Sequence, residues 1–228
     1  MTARGPLPPT GAHLAVETAP AEATELFGAE FVRAERYVGL LATAGVERGL
    51  LGPREPARLW TRHVLNSAAL RSLLPMGAEV VDIGSGAGLP GIPLALARPD
   101  LRVTLVEPMA RRVAFLEYVS SELDLDVRIR RCRAEELAAD SVDAVVVRAV
   151  APLDRLVLLT MRLLRPGGRC LALKGDNAAA EITAARRVLE HWAGARVSLE
   201  RLPMGTTTAT VIVMDRDNPG SRAEEPQP

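Results

Sequence analysis

Residues 80–91 read Val80-Val81-Asp82-Ile83-Gly84-Ser85-Gly86-Ala87-Gly88-Leu89-Pro90-Gly91, or VVDIGSGAGLPG. A short apolar run, Glu79–Ile83, ends in an acid and three alternating glycines, and a new apolar pattern follows to Ala97. That order predicts a buried strand, a tight turn and a helix over Gly88–Ala97. Glycines let the backbone turn sharply and come close to a ligand. In dinucleotide enzymes a related turn places a diphosphate on a helix N-terminus. Here Asp82 stands two residues before the first glycine and suits a cationic ligand end better than a diphosphate.

Working outward, strand and helix patterns alternate. Leu101–Val106 predicts a strand, Met109–Leu123 a helix and Val127–Arg131 a third strand. Val142–Val147 is apolar enough for a strand buried on both faces. Leu153–Leu164 predicts a helix closed by the turn Arg165-Pro166-Gly167-Gly168, followed by strand Arg169–Lys174 and helix Ala178–Trp192. Ala195–Leu202 and Ala209–Met214 are separated only by Pro203-Met204-Gly205 and nearby polar residues, so they must pair antiparallel. Upstream, Ala21 to about Thr43 and Pro56 to Leu73 read as helices. The expected fold is α/β: a seven-stranded, mostly parallel sheet with a terminal antiparallel strand and an N-terminal helical extension. This pattern resembles the Rossmann-like class I methyltransferase fold. The expected division is a disordered start over 1–20, the helical extension over 21–75, the core over 76–215 and a disordered tail over 216–228.

Topology directs attention to the carboxyl ends of the strands. S-adenosylmethionine has a sulfonium, an amino acid end and a nucleoside, and no phosphate, which fits Asp82, Gly84, Gly86 and Gly88 as its cradle. Glu107 ends the second strand, where an acid can accept hydrogen bonds from both ribose hydroxyls. Ala134-Glu135-Glu136 follows the third strand, where an adenine edge is read; the same acids would also suit the first turn of a short helix. Arg148 follows the buried fourth strand and Lys174 ends the fifth, on the same rim. Both are candidates for the catalytic rim, as groups that orient RNA or order a loop. Arg62 and His63, in Arg62-His63-Val64-Leu65-Asn66-Ser67, are candidates for RNA contact, with helix packing as the alternative for His63.

Composition narrows the function. Twenty-eight basic and twenty-eight acidic residues give a net charge of zero, so any nucleic-acid contact needs a local patch. Arg33, Arg36, Arg48, Arg54, Arg58, Arg62 and Arg71 supply one in the helical extension. Few aromatics argue against binding by base stacking. Cys132 and Cys170 have neither metal-ligand spacing nor a nearby histidine, so no metal site is expected. No apolar run reaches membrane-span length, and no signal-peptide core opens the chain, so a cytoplasmic protein is expected. The segment Arg148-Ala149-Val150-Ala151-Pro152 lacks the Asn/Asp-Pro-Pro-aromatic pattern of adenine-N6 methylation, and neither cysteine fits the nucleophile of pyrimidine C5 methylation. Cys170 stands where a short-chain dehydrogenase would need a tyrosine before Lys174.

Taken together, RHVLNS at 62–67, DIGSGAGLPGIPLA at 82–95, RRVAFLE at 111–117, RAEE at 133–136, VRAVAPL at 147–153 and ALKG at 172–175 closely resemble one family. It is the bacterial small-subunit ribosomal RNA guanine-N7 methyltransferases, also called glucose-inhibited division protein B. The similarity runs from about Ala34 to Met214, with Asn66 where many members carry an acid. It implies cofactor contacts at Gly84, Leu89, Glu107, Ala134, Glu135 and Arg148. It also implies the substrate, one guanine in a 16S ribosomal RNA loop near the decoding centre, presented by the RNA or the small subunit to a monomeric enzyme. Two other readings are a methyltransferase acting on a small molecule or protein, and a non-catalytic ribosome-assembly factor that keeps the cofactor pocket.

Overall fold

The computed structural model describes residues 15–148, 151–192 and 196–218. Its sheet contains seven strands: β1 Glu79–Ile83, β2 Arg102–Val106, β3 Arg128–Arg130, β4 Val142–Arg148, β5 Leu164–Lys174, β6 Arg196–Met204 and β7 Thr207–Asp215. Their order is β3-β2-β1-β4-β5-β7-β6. The first five are parallel to one another, while β7 runs antiparallel to both β5 and β6. The chain winds outward from β1 through β2 to β3, then returns to β4 on the other side. The strand order therefore reverses between β1 and β4, and a crevice opens at their carboxyl ends.

Period-2 alternation sorts the strand side chains into two cores. Val80, Val103, Leu105, Ala144, Val146, Leu171 and Val211 face one layer. That layer contains α4 (Gly91–Ala97), α5 (Ala110–Leu123) and the N-terminal helices α1 (Ala21–Phe27) and α2 (Phe31–Leu40). Val81, Ile83, Val145, Val147, Cys170, Ala172 and Ile212 face the other layer, α6 (Leu153–Thr160) and α7 (Ala178–His191). Because the N-terminal helices share a core with α4, α5 and the sheet, the helical extension is part of the sheet's cover.

Six expected elements differ in detail. The helix after the glycine turn begins at Gly91, not Gly88, because the backbone is still at positive φ at Gly88 (94°). The helix from Leu153 stops at Thr160, and β5 starts earlier, at Leu164. Pro166-Gly167-Gly168 is thus a bulge inside β5: pairing shifts register between Val142 and Ala144, and Gly167 takes φ 83°. The first N-terminal helix is broken at Gly28 (φ 50°), and the second is not one helix. It consists of a 3-10 turn Pro56–Arg58, a π-helical turn Leu59–Leu65, the short α3 (Asn66–Ala68) and a 3-10 turn Ala69–Leu73. Pro203 and Met204 lie in β6, where an edge strand tolerates proline, and the reversal falls at Gly205-Thr206.

The expected disordered start and tail lie, at residues 1–14 and 219–228, outside the described residues. The described flanks are tied down. Glu17 donates its N–H to Pro56 O at 2.9 Å and accepts Thr61 N–H on Oε2 at 3.1 Å. Arg216 N–H donates to Gly168 O at 2.8 Å, and Gly167 N–H donates to Arg216 O at 2.9 Å.

Candidate active site

The turn after β1 is held from three sides. Gly84 and Ser85 donate their N–H groups to Val106 O at 2.8 and 3.1 Å, which ties the turn to β2. Tyr37, fully buried on α2, donates its hydroxyl to Ala87 O at 2.8 Å. Below, Asp82 Oδ2 accepts the N–H of Gly91, the first residue of α4, at 3.0 Å. Asp82 is fully buried and turned into the turn and helix start, not outward. Its Oδ1 has no partner among the described residues. Burial pushes its carboxyl up to about 7, against the opposing hydrogen bonds from Gly91 and Ser85.

This has a testable consequence. A folded-state value raised above 3.8 makes the ionised carboxylate the costly form. The linked stability is fully present below the unfolded value and is lost as pH rises through about 7. The ligand-free wild type should therefore lose stability relative to Asp82→Asn as pH rises from about 4 to about 7, by roughly 1.4 kcal/mol per pH unit, and show no further loss above about 7. A constant gap between the two melting curves over that range would show that Asp82 does not titrate there.

Glu107, just past β2, is almost fully buried. Its Oε2 accepts Gly86 N–H at 3.1 Å and lies 3.4 Å from Arg112 Nη1, while Oε1 accepts Met109 N–H at 3.0 Å. One carboxylate thus joins the glycine turn to the start of α5. Beside it lies a crevice of about 540 Å³ that includes Gly84, Glu107, Ala134 and Glu135, four of the expected residues. Met109, Arg112, Cys132 and Leu159 complete much of its wall. Ala134 is buried, and Glu135 is exposed at the mouth. Glu136 is used locally: its Oε1 accepts Arg133 N–H at 2.7 Å and caps the 3-10 turn Ala134–Glu136. A second cavity, about 370 Å³, lies at the amino ends of β1, β2 and β3, between Glu79, Arg102, Asp126 and Arg128. It is distant from the switch point and receives none of the turn's backbone groups.

Gly86, Gly88, Leu89 and Asp82 form and support the turn, and do not line the main crevice. Gly88 has a structural reason to be glycine: besides its positive φ, a Cβ there would lie 2.3 Å from Ile92 Cδ1 and 3.1 Å from the Tyr37 hydroxyl. Leu89 is buried in the N-terminal core.

The strand parity separates the two rim cations. Arg148 leaves β4 on the face of the N-terminal helices, and Lys174 leaves β5 on the α6/α7 face. Lys174 Nζ donates to Ala151 O at 3.0 Å and pairs with Glu181 Oε2 on α7 at 2.7 Å, with 9% of its side chain exposed. It therefore anchors the segment after β4 and does not face the glycine turn. Lys174→Met should lower stability by about 1–3 kcal/mol, because it removes a charged hydrogen bond and leaves the half-buried Ala151 carbonyl without that donor. Cofactor affinity should change by less than about threefold. Thermal melts with calorimetric titration would check this, and a large loss of affinity at unchanged stability would place Lys174 at the ligand.

Arg148 Nη2 donates to His63 Nδ1, and Nη1 reaches His63 O at 3.5 Å. His63 is only 5% exposed. Its Nε2 lies 2.5 Å from Glu55 Oε2. Glu55 also pairs with Arg58, at 2.5 Å from Nη2, and lies 3.9 Å from Arg62 Nε. Arg62 remains exposed, with 58% of its side chain accessible. Asn66 turns back to Arg62 O through Nδ2 at 3.2 Å. Tyr37, Glu55 and Arg112 were absent from the expected site. Arg112 does lie in the RRVAFLE segment, while Tyr37 and Glu55 carry no sequence signal beyond helical apolar spacing and a charge.

The crevice suits a nucleoside: a buried carboxylate for a diol, apolar wall from Met109, Ala134 and Leu159, and backbone turned toward it by the glycines. Two solved structures with this fold are a SAM-dependent O-methyltransferase of Thermotoga maritima and a precorrin-6y C5,15-methyltransferase of Geobacter metallireducens. The first aligns with TM-score 0.52 at 16% identity over 67% of this chain and 64% of that one. The second aligns with TM-score 0.52 at 18% identity, over 70% and 91%. A sheet of this order, with the glycine turn at its switch point, is the Rossmann-like fold of class I methyltransferases.

Sequence similarity goes further than the fold. The family model for GidB, rRNA small subunit methyltransferase G, matches residues 31–204. A ribosomal RNA small subunit methyltransferase G of Mycobacterium marinum is 53% identical over 202 residues, covering 85% of this chain and 88% of the relative. One from Mycobacterium sp. (strain JLS) is 51% identical over 217 residues, covering 91% and 96%. The chain belongs to the rRNA small subunit methyltransferase G family.

Proposed function

We propose that this chain transfers the methyl group of S-adenosylmethionine to N7 of a single guanine of 16S ribosomal RNA near the decoding centre. The observation that carries the reading is the Glu107-bridged crevice beside the glycine turn, in a chain that matches the family across residues 31–204. S-adenosylmethionine supplies an electrophilic methyl on its sulfonium. Glu107 accepts the ribose hydroxyls, Ala134 and Glu135 frame the adenine, and Gly84, Gly86, Gly88 and Leu89 shape the turn that receives the amino acid end. Asp82 supports that turn from beneath.

Guanine N7 carries an in-plane lone pair, so its attack needs no prior deprotonation. The site residues then act by positioning and by excluding water rather than by acid–base exchange. Arg148 has a cationic head near the turn that can orient an anionic group, and Arg62 offers an exposed charge for RNA phosphate. The protein acts on the RNA or the small subunit as a cytoplasmic monomer. Supporting this, no described helix is long and apolar enough to cross a membrane.

Transfer of a labelled methyl group to small subunits from a strain lacking this gene, followed by mapping, tests the proposal. A single N7-methylguanine in the decoding-region loop, lost in Gly84→Asp, is the expected result. Bound cofactor with no label on free RNA, subunits or assembly intermediates would overturn it.

A further inference from the structure

We propose that Glu55 and His63 are positioning residues, which together fix the Arg148 guanidinium at the carboxyl end of β4. The inference rests on the reading of Arg148 as a ligand-orienting group.

Among the described residues no carboxylate forms an ion pair with Arg148. The described hydrogen bonds of its guanidinium go to one residue, His63, through Nδ1 and the backbone carbonyl. A guanidinium only donates, so Nδ1 must be the nitrogen without a proton. The ring proton then sits on Nε2 and donates to Glu55 Oε2 at 2.5 Å. One tautomer satisfies both ends, and it reads carboxylate, neutral imidazole, guanidinium. A carboxylate behind an imidazole holds the ring in a set tautomer and orientation.

Glu55 is itself fixed. Arg58 gives it two hydrogen bonds, Nη2 to Oε1 at 2.5 Å and Nε to Oε2 at 3.1 Å. Hydrogen bonds from Arg58 and His63 outweigh its partial burial and draw its carboxyl down to about 2, so it stays an acceptor. Burial, and then the charge of Arg148, push His63 down to about 4, so the ring stays neutral near neutral pH. The backbone supports the same arrangement. His63 lies in the π-helical turn Leu59–Leu65, and its carbonyl also accepts the fully buried Ser67 hydroxyl at 2.6 Å. Turns of this kind are frequent at functional sites.

The chemistry explains why a neutral ring is used here. A carboxylate placed against Arg148 would hold it but also neutralise it. A neutral acceptor fixes the direction of the guanidinium and leaves its charge for a carboxylate or phosphate arriving at the rim.

A double-mutant cycle on the full chain tests this, with methyl transfer to small subunits and calorimetric cofactor binding as readouts. His63→Gln keeps a polar end toward Glu55 and loses the acceptor at Nδ1; kcat/KM is expected to fall about tenfold or more. His63→Asn restores an acceptor near Nδ1 and should recover much of that loss. Glu55→Gln, which needs no change in the ring, should give a smaller loss of the same kind. In an Arg148→Ala background, His63→Gln should cost almost nothing further, because the residue acts through Arg148. A loss in that background as large as in the wild type would overturn the proposal, as would equal activity of His63→Gln and His63→Asn. If Arg148→Ala alone has wild-type kinetics, the reading of Arg148 fails first, and the proposal with it.

Discussion

Gly91→Ala is expected to lower the melting temperature by roughly 5–15 °C and to weaken cofactor binding by about tenfold or more. Elsewhere in a helix, glycine to alanine stabilises by about 1 kcal/mol. Here packing wins. A Cβ at Gly91 would lie 2.3 Å from Leu105 Cδ2 and 2.8 Å from Asp82 Oδ2, and both neighbours are fully buried. Relief requires Asp82 to move, and its carboxyl already has one oxygen without a partner. Moving it also breaks the bond from Gly91 N–H, so overpacking and an unsatisfied buried group add to about 2–5 kcal/mol. The glycine turn rests on this carboxyl, so the damage reaches the ligand. Gly39→Ala on α2 is the matched control: nothing lies within 4 Å of its Cβ, and a gain of about 0.5–1 kcal/mol is expected. A Gly91→Ala protein that melts and binds cofactor like the wild type would mean that Asp82 does not clamp the turn.

The same pair shows what the chain discloses before folding. Asp82 and the alternating glycines could be read as a strand, a turn and a helix because their chemistry is local: φ preference and apolar period act over a few residues. The terminal antiparallel pair was legible for the same reason, since too few residues separate β6 from β7 for a crossover. Which way Asp82 faces was not legible. That depends on the turn bringing the Gly91 N–H back to its carboxyl, nine residues along the chain, and no residue type announces that contact. The rim cations followed the same rule. Sequence placed Arg148 and Lys174 on one edge, but only strand register puts them on opposite faces, one against His63 and one against Glu181. Sequence left His63 open between RNA contact and helix packing, because nothing in its neighbours announces the π-helical turn in which it is buried. The bulge at Pro166-Gly167-Gly168 read as an ordinary turn because only the pairing with β4 shows that the strand resumes on both sides of it.

Glu107→Ala should raise the cofactor KM and Kd by about a hundredfold to ten-thousandfold while leaving kcat at saturating cofactor within about tenfold. Its carboxylate accepts Gly86 N–H and Met109 N–H and faces Arg112, all while almost wholly withdrawn from water. Two charge-assisted hydrogen bonds to a ligand diol contribute roughly 3–6 kcal/mol, and the two backbone donors left behind oppose any relaxation that would recover it. The Arg112 contact adds little, because 38% of that side chain is exposed and water replaces the partner. Glu107→Gln keeps one oxygen but turns a donor toward groups that already donate, so an intermediate loss of about ten- to a hundredfold is expected. The split between KM and kcat carries the meaning. A residue that grips the ribose contributes equally before and during methyl transfer, so its removal costs binding and not the chemical step. The loss should also be insensitive to salt, whereas neutralising the exposed Arg62 should weaken RNA binding with a shallower salt dependence. A fall in kcat with unchanged KM would instead place Glu107 beside the reacting methyl, and would turn the bound nucleoside end for end in the crevice.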